Sequence, residues 1–271
     1  MQKTLIPADE RPAWTYVLIF LLLHIAPFGA LFTGVKASDV WVGIILYFAR
    51  VFFITGCYHR YFSHKTFKTS RAMQAVMAFL GTTAGQNGPI WWPAHHRHHH
   101  KHADTEKDIS SPAKGFFWSH IGWLLCPKYK NAPVEMMSDF KKYPEIVWID
   151  KYNILGPVIM GLACLYFGGL SMLFIGFFAS TIVLYHVTWS INSLTHMFGK
   201  RNHDTRDDSR NSWFLAIISL GEWLHNNHHY RPGSAKFSEK WYEFDLGYGL
   251  LRIMSWTRLI WDLKVPQAKT A

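Results

Sequence analysis

Residues 14–33 read WTYVLIFLLLHIAPFGALFT, a stretch of 20 residues without Asp, Glu, Lys or Arg. A helix needs about 20 apolar residues to cross the roughly 30 Å of hydrocarbon in a bilayer. The polar lead before it, which includes Asp9 and Glu10, and the absence of a clean small-x-small cleavage site disfavour a secretory signal peptide. We therefore predict that this stretch is a membrane-spanning helix.

Further apolar segments and the distribution of charge extend this prediction. The loop after the first segment holds only Lys36 and Asp39, and residues 166–171 hold no charge, whereas the middle of the chain and its tail are rich in Lys and Arg. Since basic loops face the cytoplasm, both termini are predicted to be cytoplasmic. The sequence predicts an all-α integral membrane protein with one domain over residues 1–271, four transmembrane helices (14–33, 40–57, 150–168 and 172–192) and a cytoplasmic helical cap (58–149 and 193–271).

The bulk composition limits the function classes. A formal charge of +10 would suit nucleic acid or an anionic membrane surface, and the apolar segments select the membrane. We therefore predict no nucleic-acid partner. Cys57, Cys126 and Cys164 form no CxxC pair, so they indicate neither a disulfide framework nor a Cys-based metal site.

Two segments of the predicted cap are themselves apolar. Residues 72–92 are interrupted by Gly81, Gly85, Gly88 and Pro89, which break helices. We expect this segment to pack against the bundle or lie at the membrane interface, not to span the membrane a fifth time. Residues 115–125 (GFFWSHIGWLL) suit an amphipathic interfacial helix, with a buried core helix as the alternative.

Histidine is the unusual residue of this chain, with 16 in 271 positions. They concentrate in HRYFSH at 59–64, HRHHH at 96–100 and HNNHH at 225–229. On a helix, positions i, i+3 and i+4 share a face, so HxxHH presents imidazoles toward one point. Adjacent His lie about 100° apart and can serve different metals. Eight imidazoles are enough for two ions such as Fe, Zn, Cu or Ni, whereas one structural Zn needs four ligands.

A further candidate ligand is His196, four residues after Asn192, which is better suited to holding a metal-bound water. The other His are weaker candidates for metal ligands. His24 and His186 are expected to be hydrogen-bonded residues within spans, His95 and His98 are alternative ligands in a shifted register, and His102, His120 and His203 are expected at the surface or behind the ligands. A solvated His-rich tract is the alternative for the clusters, but separate clusters at span ends favour a built site.

In order and spacing, the motifs HRYFSH, HHRHHHKHADTEKD, GFFWSHIGWLL, NSLTH and GEWLHNNHH resemble those of the membrane fatty acyl desaturases, most closely the acyl-CoA Δ9 (stearoyl-CoA type) enzymes. The resemblance covers about residues 14–261. It implies a mushroom-shaped fold with four membrane helices and a cytoplasmic cap. It also implies a non-haem di-iron centre of two Fe2+, replaceable by Zn in purified protein, held by His59, His64, His96, His99, His100, His196, His225, His228 and His229, with Asn192 acting through a water.

The resemblance also implies substrate-binding residues. Gln86, Asn87 and Trp92 match a stretch that lines a bent acyl tunnel, and Trp189 matches a Trp near the acyl head group. Lys128 matches a basic residue after the interfacial helix.

One position departs from the family's pattern. Ala94-His95 stands where acyl-CoA enzymes often have Arg-Asp, which removes an expected contact to a CoA phosphate. The acyl carrier is therefore left open among a CoA thioester, an acyl lipid and an acyl carrier protein.

The expected activity is O2-dependent introduction of a cis double bond, at Δ9, into a long-chain saturated acyl thioester, with no catalytic residue beyond the metal ligands. Electrons are expected from a separate ferredoxin, cytochrome b5 or reductase, because no haem-binding domain is recognisable in the tail. Asp104, Asp108 and Glu222 are candidates to orient the His ligands, with ordinary salt bridges as the alternative. Rival functions are a related acyl or alkane hydroxylase, which would yield an alcohol, and a non-catalytic metal-handling membrane protein.

Overall fold

The computed structural model describes residues 8–265, and these residues form mainly helices. The α-helices are α1 (Trp14–Ile25), α2 (Ala30–Thr33), α3 (Ala37–Phe52), α4 (Arg71–Thr82), α5 (Trp91–His102), α6 (Phe116–His120), α7 (Ser138–Lys141), α8 (Pro144–Lys151), α9 (Leu155–Met172), α10 (Ser180–Ser193), α11 (His225–Tyr230) and α12 (Leu246–Trp256). Two π-helices, Phe53–Ser63 and Leu173–Ala179, follow α3 and α9. Short 3-10 helices lie at Ala8–Glu10, Ala26–Gly29, Pro112–Lys114, Gly122–Leu125, Pro127–Lys130, Val134–Met137 and Leu194–His196.

Within residues 8–265, three helical stretches are long and apolar enough to cross a membrane. They run over Trp14–Thr33, Ala37–Ser63 and Leu155–His196. These stretches contain almost all of the predicted spans. The expectation of a predominantly helical membrane protein is therefore confirmed at the level of its long apolar helices.

The stretch Leu155–His196 is 42 residues long, or about 63 Å at 1.5 Å per residue, which is twice the hydrocarbon thickness. It is broken at Gly169, whose φ of 70° and ψ of −165° are not helical. Gly161 and Phe177, equally far on either side, are in contact. The stretch is therefore a helical hairpin with its tip at Gly169, in the gap between the predicted segments 150–168 and 172–192. Its first arm begins at Leu155 instead of residue 150, because α8 ends at Lys151.

The stretch Ala37–Ser63 is longer than the predicted segment 40–57, because α3 continues directly into the first π-helix. At 27 residues it reaches about 40 Å, beyond the hydrocarbon layer. Polar His59 and Arg60 at its end are tolerated because Arg60 is buried and donates to Asp245 at 2.8 Å. A π-helix is rare and occurs mostly at functional sites.

Of the two apolar cap segments, residues 72–92 behave as expected. They are outside the three candidate spans, and α4 packs on the first π-helix, where Gly81 admits the ring of Tyr58 to a distance that no Cβ would allow. Residues 115–125 do not form the one continuous helix that was expected, whether interfacial or buried. The chain forms α6 and then a separate 3-10 helix, because Ile121 has a φ of −139° that ends the helix between them.

The buried core surrounds the first π-helix, with Tyr58 and Phe62 fully buried among side chains of α4, α8 and α12. The C-terminal part of the chain is tied to this core by a two-stranded antiparallel sheet. Its strands are β1 (Lys68–Thr69) and β2 (Ile260–Trp261), paired Lys68 to Trp261 and Thr69 to Ile260. The π-helix that carries His59 is thus packed against several other helices.

Candidate metal centre

The three His clusters and His196 meet at one end of the long helices. His59 lies in the first π-helix and His64 directly follows it. The cluster at 96–100 occupies α5, the cluster at 225–229 occupies α11, and His196 ends the 3-10 helix after α10. The structure brings all nine predicted His into two adjoining groups.

The first group contains five imidazoles whose candidate ligand atoms lie within 4.8 Å of one another. Its Nε2 atoms are closely spaced: His59 to His228 is 2.9 Å, His64 to His96 is 2.9 Å and His228 to His100 is 2.8 Å. The group therefore draws on every one of the three clusters.

The second group contains His99, His196, His225 and His229, again within 4.8 Å of one another. His225 Nε2 and His196 Nε2 are 3.1 Å apart. The rings of His100 and His229, which belong to different groups, have centroids 4.3 Å apart. Adjacent residues of α5 and α11 thus serve different groups, as expected from the angle of about 100° between neighbouring helix positions.

These nitrogens have the spacing and chemistry of a metal site. Two nitrogens about 2.1 Å from one ion and at right angles lie about 3.0 Å apart, which matches the observed 2.8 to 3.1 Å. Among the described residues, the buried Nε2 atoms of His99 and His229 have no hydrogen-bond partner. Unpaired buried polar atoms are costly, so these two nitrogens fit the role of metal ligands.

In four of these imidazoles, Nδ1 contacts a carboxylate. His196 Nδ1 lies 2.8 Å from Asp104 and His99 Nδ1 lies 3.1 Å from Asp108. Nδ1 of His59 contacts Glu222. The three predicted carboxylates therefore do contact His. A carboxylate on Nδ1 fixes the proton there and leaves Nε2 free to bind a metal.

The fourth carboxylate, Asp207, was missed by sequence reasoning. It lies 2.9 Å from His229 Nδ1. Its only sequence signal is its place in the polar stretch DTRDD at 204–208, which does not distinguish it from Asp204 or Asp208. Both of those residues are exposed, whereas Asp207 is buried.

The electrostatics favour ionised carboxylates at Asp108 and Glu222 and a neutral imidazole at His228. Burial raises the pKa of Asp108, but His99 outweighs this and brings the pKa to about 2. Burial likewise opposes ionisation of Glu222, yet His59 and Arg60 hold its pKa below the usual value. Burial and then the neighbouring His59 hold the pKa of His228 well below the usual value. Neutral imidazole is the form that binds a metal.

The remaining His lie outside the two groups. His24 and His186 are hydrogen-bonded to each other at 3.0 Å, as expected for His within spans. His95 Nδ1 faces the Trp91 carbonyl at 3.1 Å, and burial lowers its pKa to about 4. The other four make separate contacts: His98 and His102 with each other, His120 with His186 and Ser193, and His203 with Glu239.

A mainly apolar cavity of about 310 Å³ adjoins both groups. Predicted residues Gln86, Asn87 and Trp92 line it, as do His59, His96 and His99. Trp92 Nε1 donates to Gln86 Oε1 at 3.2 Å, and Gln86 Nε2 donates to Thr188 Oγ1 at 3.0 Å. Thr188, which closes this chain of hydrogen bonds, was not predicted, because nothing in its sequence context sets it apart from other Thr in a span.

Of the remaining predicted residues, some line the cavity and one does not. Trp189 and Asn192 line the cavity, and Asn192 Nδ2 lies 3.5 Å from Ser110 Oγ. Lys128 does not line it. Its Nζ is paired with Asp9 at 2.7 Å and with Glu10 at 3.3 Å. This lysine is thus already neutralised by the chain itself.

Comparison with known proteins identifies the family. The family model for fatty acid desaturases matches residues 38–245. The chain belongs to the fatty acid desaturase family. This desaturase is 37% identical to the sn-1 stearoyl-lipid 9-desaturase of Anabaena variabilis, over 94% of the chain and 95% of that protein. It is 33% identical to the Delta-9 acyl-lipid desaturase 1 of Arabidopsis thaliana, over 95% and 84%. It is 35% identical to the acyl-CoA C20 Delta5-desaturase of Anemone leveillei, over 84% and 75%.

Family membership makes this protein an oxidoreductase of lipid metabolism. The family acts on fatty acyl substrates with O2 and uses a di-iron centre, and the two His groups of this chain could bind metal. The predicted resemblance to the membrane desaturases is therefore confirmed.

Proposed function

We propose that this desaturase uses O2 to introduce a cis double bond at Δ9 of a long-chain saturated acyl group. The observation that supports this best is the position of the two His groups, which lie at one side of an apolar cavity. An extended hydrocarbon chain fits such a cavity, and its methylenes would lie beside the metal site. Two of the three relatives compared above are named as 9-desaturases.

Two iron ions would be held by the nine His, five on one ion and four on the other. When bound, such a pair supplies the activation of O2 and the removal of two hydrogens from adjacent methylenes. Two electrons must come from a separate donor, such as a ferredoxin, a cytochrome b5 or a reductase. No side chain other than the ligands is assigned a catalytic role, and Asn192 acts through a water.

The protein's own residues would orient and protect the reaction. Asp104, Asp108, Asp207 and Glu222 keep the imidazoles in the metal-binding tautomer. The apolar walls exclude water from the reactive site. Gln86 and its partners Trp92 and Thr188 shape the cavity beside the His groups, and positioning of the chain there selects which methylenes react.

The proposed topology has four membrane crossings. The hairpin at Gly169 supplies two of them, and the stretches Trp14–Thr33 and Ala37–Ser63 supply the others. Both termini and the His groups would then face the cytoplasm, in agreement with the basic middle and tail of the chain. The membrane helices and the cap together would form one domain over residues 1–271.

The acyl carrier is proposed to be a membrane lipid instead of CoA. Ala94-His95 lacks the Arg-Asp pair of many acyl-CoA enzymes. Lys128, the other candidate for a CoA phosphate, is already paired with Asp9 and Glu10. Relatives named as acyl-lipid desaturases match over nearly the whole chain.

The test is product analysis with two classes of substrate. The iron-loaded protein, a matching donor and O2 are supplied with stearoyl lipid in vesicles or with stearoyl-CoA, and products are identified by mass spectrometry. We expect a Δ9 cis monoene from the lipid. A monoene from stearoyl-CoA alone would contradict the proposed carrier, and an alcohol would indicate a hydroxylase. An unchanged acyl profile with folded, iron-loaded protein would contradict desaturation itself.

A further inference from the structure

One side of the apolar cavity is closed by α1. Tyr16, Ile19, Phe20 and Leu23 line the cavity, and their spacing of three, four and seven residues places them on one helix face. Every residue of α1 remains at least partly exposed. Ile19, although it lines the cavity, is 55% exposed. A single, thinly packed helix therefore separates the cavity from the hydrocarbon of the bilayer.

This helix is fixed where it begins and just beyond where it ends. At its start, the Ala13 N–H donates to the Leu125 carbonyl at 3.0 Å. Beyond its end, Gly29 lies so close to the Phe174 ring that a Cβ on Gly29 would be 2.5 Å from it. Movement of α1 would therefore be largest in its middle.

A chain of hydrogen-bonded imidazoles holds the inner part of the helix. His24 Nε2 lies 3.0 Å from His186 Nε2 of α10, and His186 Nδ1 lies 3.0 Å from His120 Nε2 of α6. His120 Nδ1 in turn lies 3.0 Å from the Ser193 hydroxyl. His24 Nδ1 faces the Phe20 carbonyl at 2.7 Å. We call these three imidazoles the histidine latch.

The direction of the hydrogen bonds in the latch follows from the Phe20 carbonyl at its end. A carbonyl can only accept, so His24 Nδ1 carries the proton and, in a neutral ring, His24 Nε2 must accept. His186 therefore donates from Nε2 and accepts at Nδ1 from His120. When the Ser193 hydroxyl donates to His120 Nδ1 at 3.0 Å, in place of the Trp189 carbonyl at 3.2 Å, each ring has one donor and one acceptor in use and the closed latch is satisfied without a charge. Opening the contact between His24 and His186 leaves one polar atom of each ring unpaired, which favours reclosure.

We propose that α1 is a lateral gate through which the acyl chain of a bilayer lipid enters the cavity, with the histidine latch holding the gate closed. This inference rests on the proposed acyl-lipid function. An acyl chain anchored to a membrane lipid would have to cross water to enter from the cytoplasm, which the hydrophobic effect opposes. Sideways entry between α1 and α10 keeps its methylenes in hydrocarbon throughout.

The gate can be tested by bridging it reversibly in vesicles. His24→Cys and His186→Cys are combined, with the three buried native cysteines replaced by alanine, and are joined by a short, reducible bis-thiosulfonate. The matched control pair is Gly29→Cys with Phe174→Cys, at the fixed contact. Unbridged samples keep the same cysteines as free thiols.

The readout is access to the cavity from the bilayer. Ile54 lines the cavity and is 5% exposed, so Ile54→Cys reports on entry of a long-chain alkyl maleimide dissolved in the vesicles, measured by peptide mass spectrometry. We expect the bridge at 24 and 186 to abolish labelling and reduction of the bridge to restore it. The bridge at 29 and 174 should leave labelling unchanged. His24→Phe removes the latch, so Ile54→Cys should be labelled faster in combination with His24→Phe than with His24.

Equal labelling with and without the bridge at 24 and 186 would overturn the gate. Labelling needs neither iron nor turnover, so it separates the gate from the proposed function. If the bridge controls labelling but the unmodified, iron-loaded protein forms no monoene, the gate stands and the proposed function fails. If a monoene forms at the same rate in bridged and unbridged protein, the function stands and the gate fails.

Discussion

The carboxylate of Asp207 lies 2.9 Å from Nδ1 of His229, while Nε2 of the same ring is buried without a hydrogen-bond partner in the described part of the chain. Burial opposes ionisation of Asp207, but its hydrogen bond to His229 more than compensates and holds the pKa far below the usual range. The ionised carboxylate fixes the proton on Nδ1. The lone pair of Nε2 is thereby directed at the second His group.

Asp207→Asn should therefore weaken metal binding without removing a ligand. An amide can accept the same hydrogen bond but lacks the charge that makes the imidazole a better donor to a metal, and loss of such a partner costs about 10 to 100-fold in metal affinity. Iron content after dialysis against a chelator measures the effect. The control is Asp204→Asn, because the Asp204 side chain is fully exposed. If both variants retain iron equally, Asp207 does not orient His229.

The contrast between Asp207 and the nine His shows what the sequence could predict of the site. Helical spacing alone indicates that His96, His99 and His100 face one region, because the helix fixes their directions. Asp207 and Thr188 reach the site only through tertiary contacts between segments distant in sequence. Local pattern contains no information about such contacts, so these residues could be found only in the structure.

His99→Ala and His98→Ala should differ sharply. His99 belongs to the second group and is held by Asp108 at 3.1 Å, whereas His98 contacts the ring of His102 outside both groups. We expect His99→Ala to lose iron and form no monoene, and His98→Ala to retain iron. Metal analysis and lipid profiling of both variants decide which His of α5 are metal ligands. Iron loss confined to His98→Ala would support the shifted register instead.

Thr188→Val should lower monoene formation while leaving iron content unchanged. The substitution removes the hydroxyl that accepts from Gln86, so the Gln86 amide and its contact with Trp92 lose their fixed orientation. Misplacement of a reacting chain by about 1 Å can cost roughly 100-fold in rate. The measurement is the rate of monoene formation at matched iron loading. Thr257→Val, at the end of α12 and away from the cavity lining, is the control and should behave like the unmodified protein.

The fold was predictable where apolar length decides it and not where tertiary contacts decide it. Residues 14–33 coincide with a candidate span. The segment predicted over 40–57 was too short, because Arg60 looks like the end of a span unless its buried partner Asp245 is known. The break at Gly169 falls within the linker that the sequence predicts between two apolar segments.

Gly169 also offers a direct test of the hairpin. At a φ of 70° and a ψ of −165°, a residue with a Cβ is strained, and such conformations cost about 1 to 3 kcal/mol. Nothing lies within 4 Å of the site that a Cβ would occupy, so Gly169→Ala would act through the backbone alone. We expect it to lower the midpoint of thermal unfolding in detergent. Gly249→Ala is the matched control, because its Cβ also meets nothing within 4 Å but lies in helical α12. There alanine should stabilise by about 0.5 to 1 kcal/mol. Equal midpoints for the two variants would mean that α9 continues through Gly169 without the turn, and the four-crossing topology would then lose its main structural support.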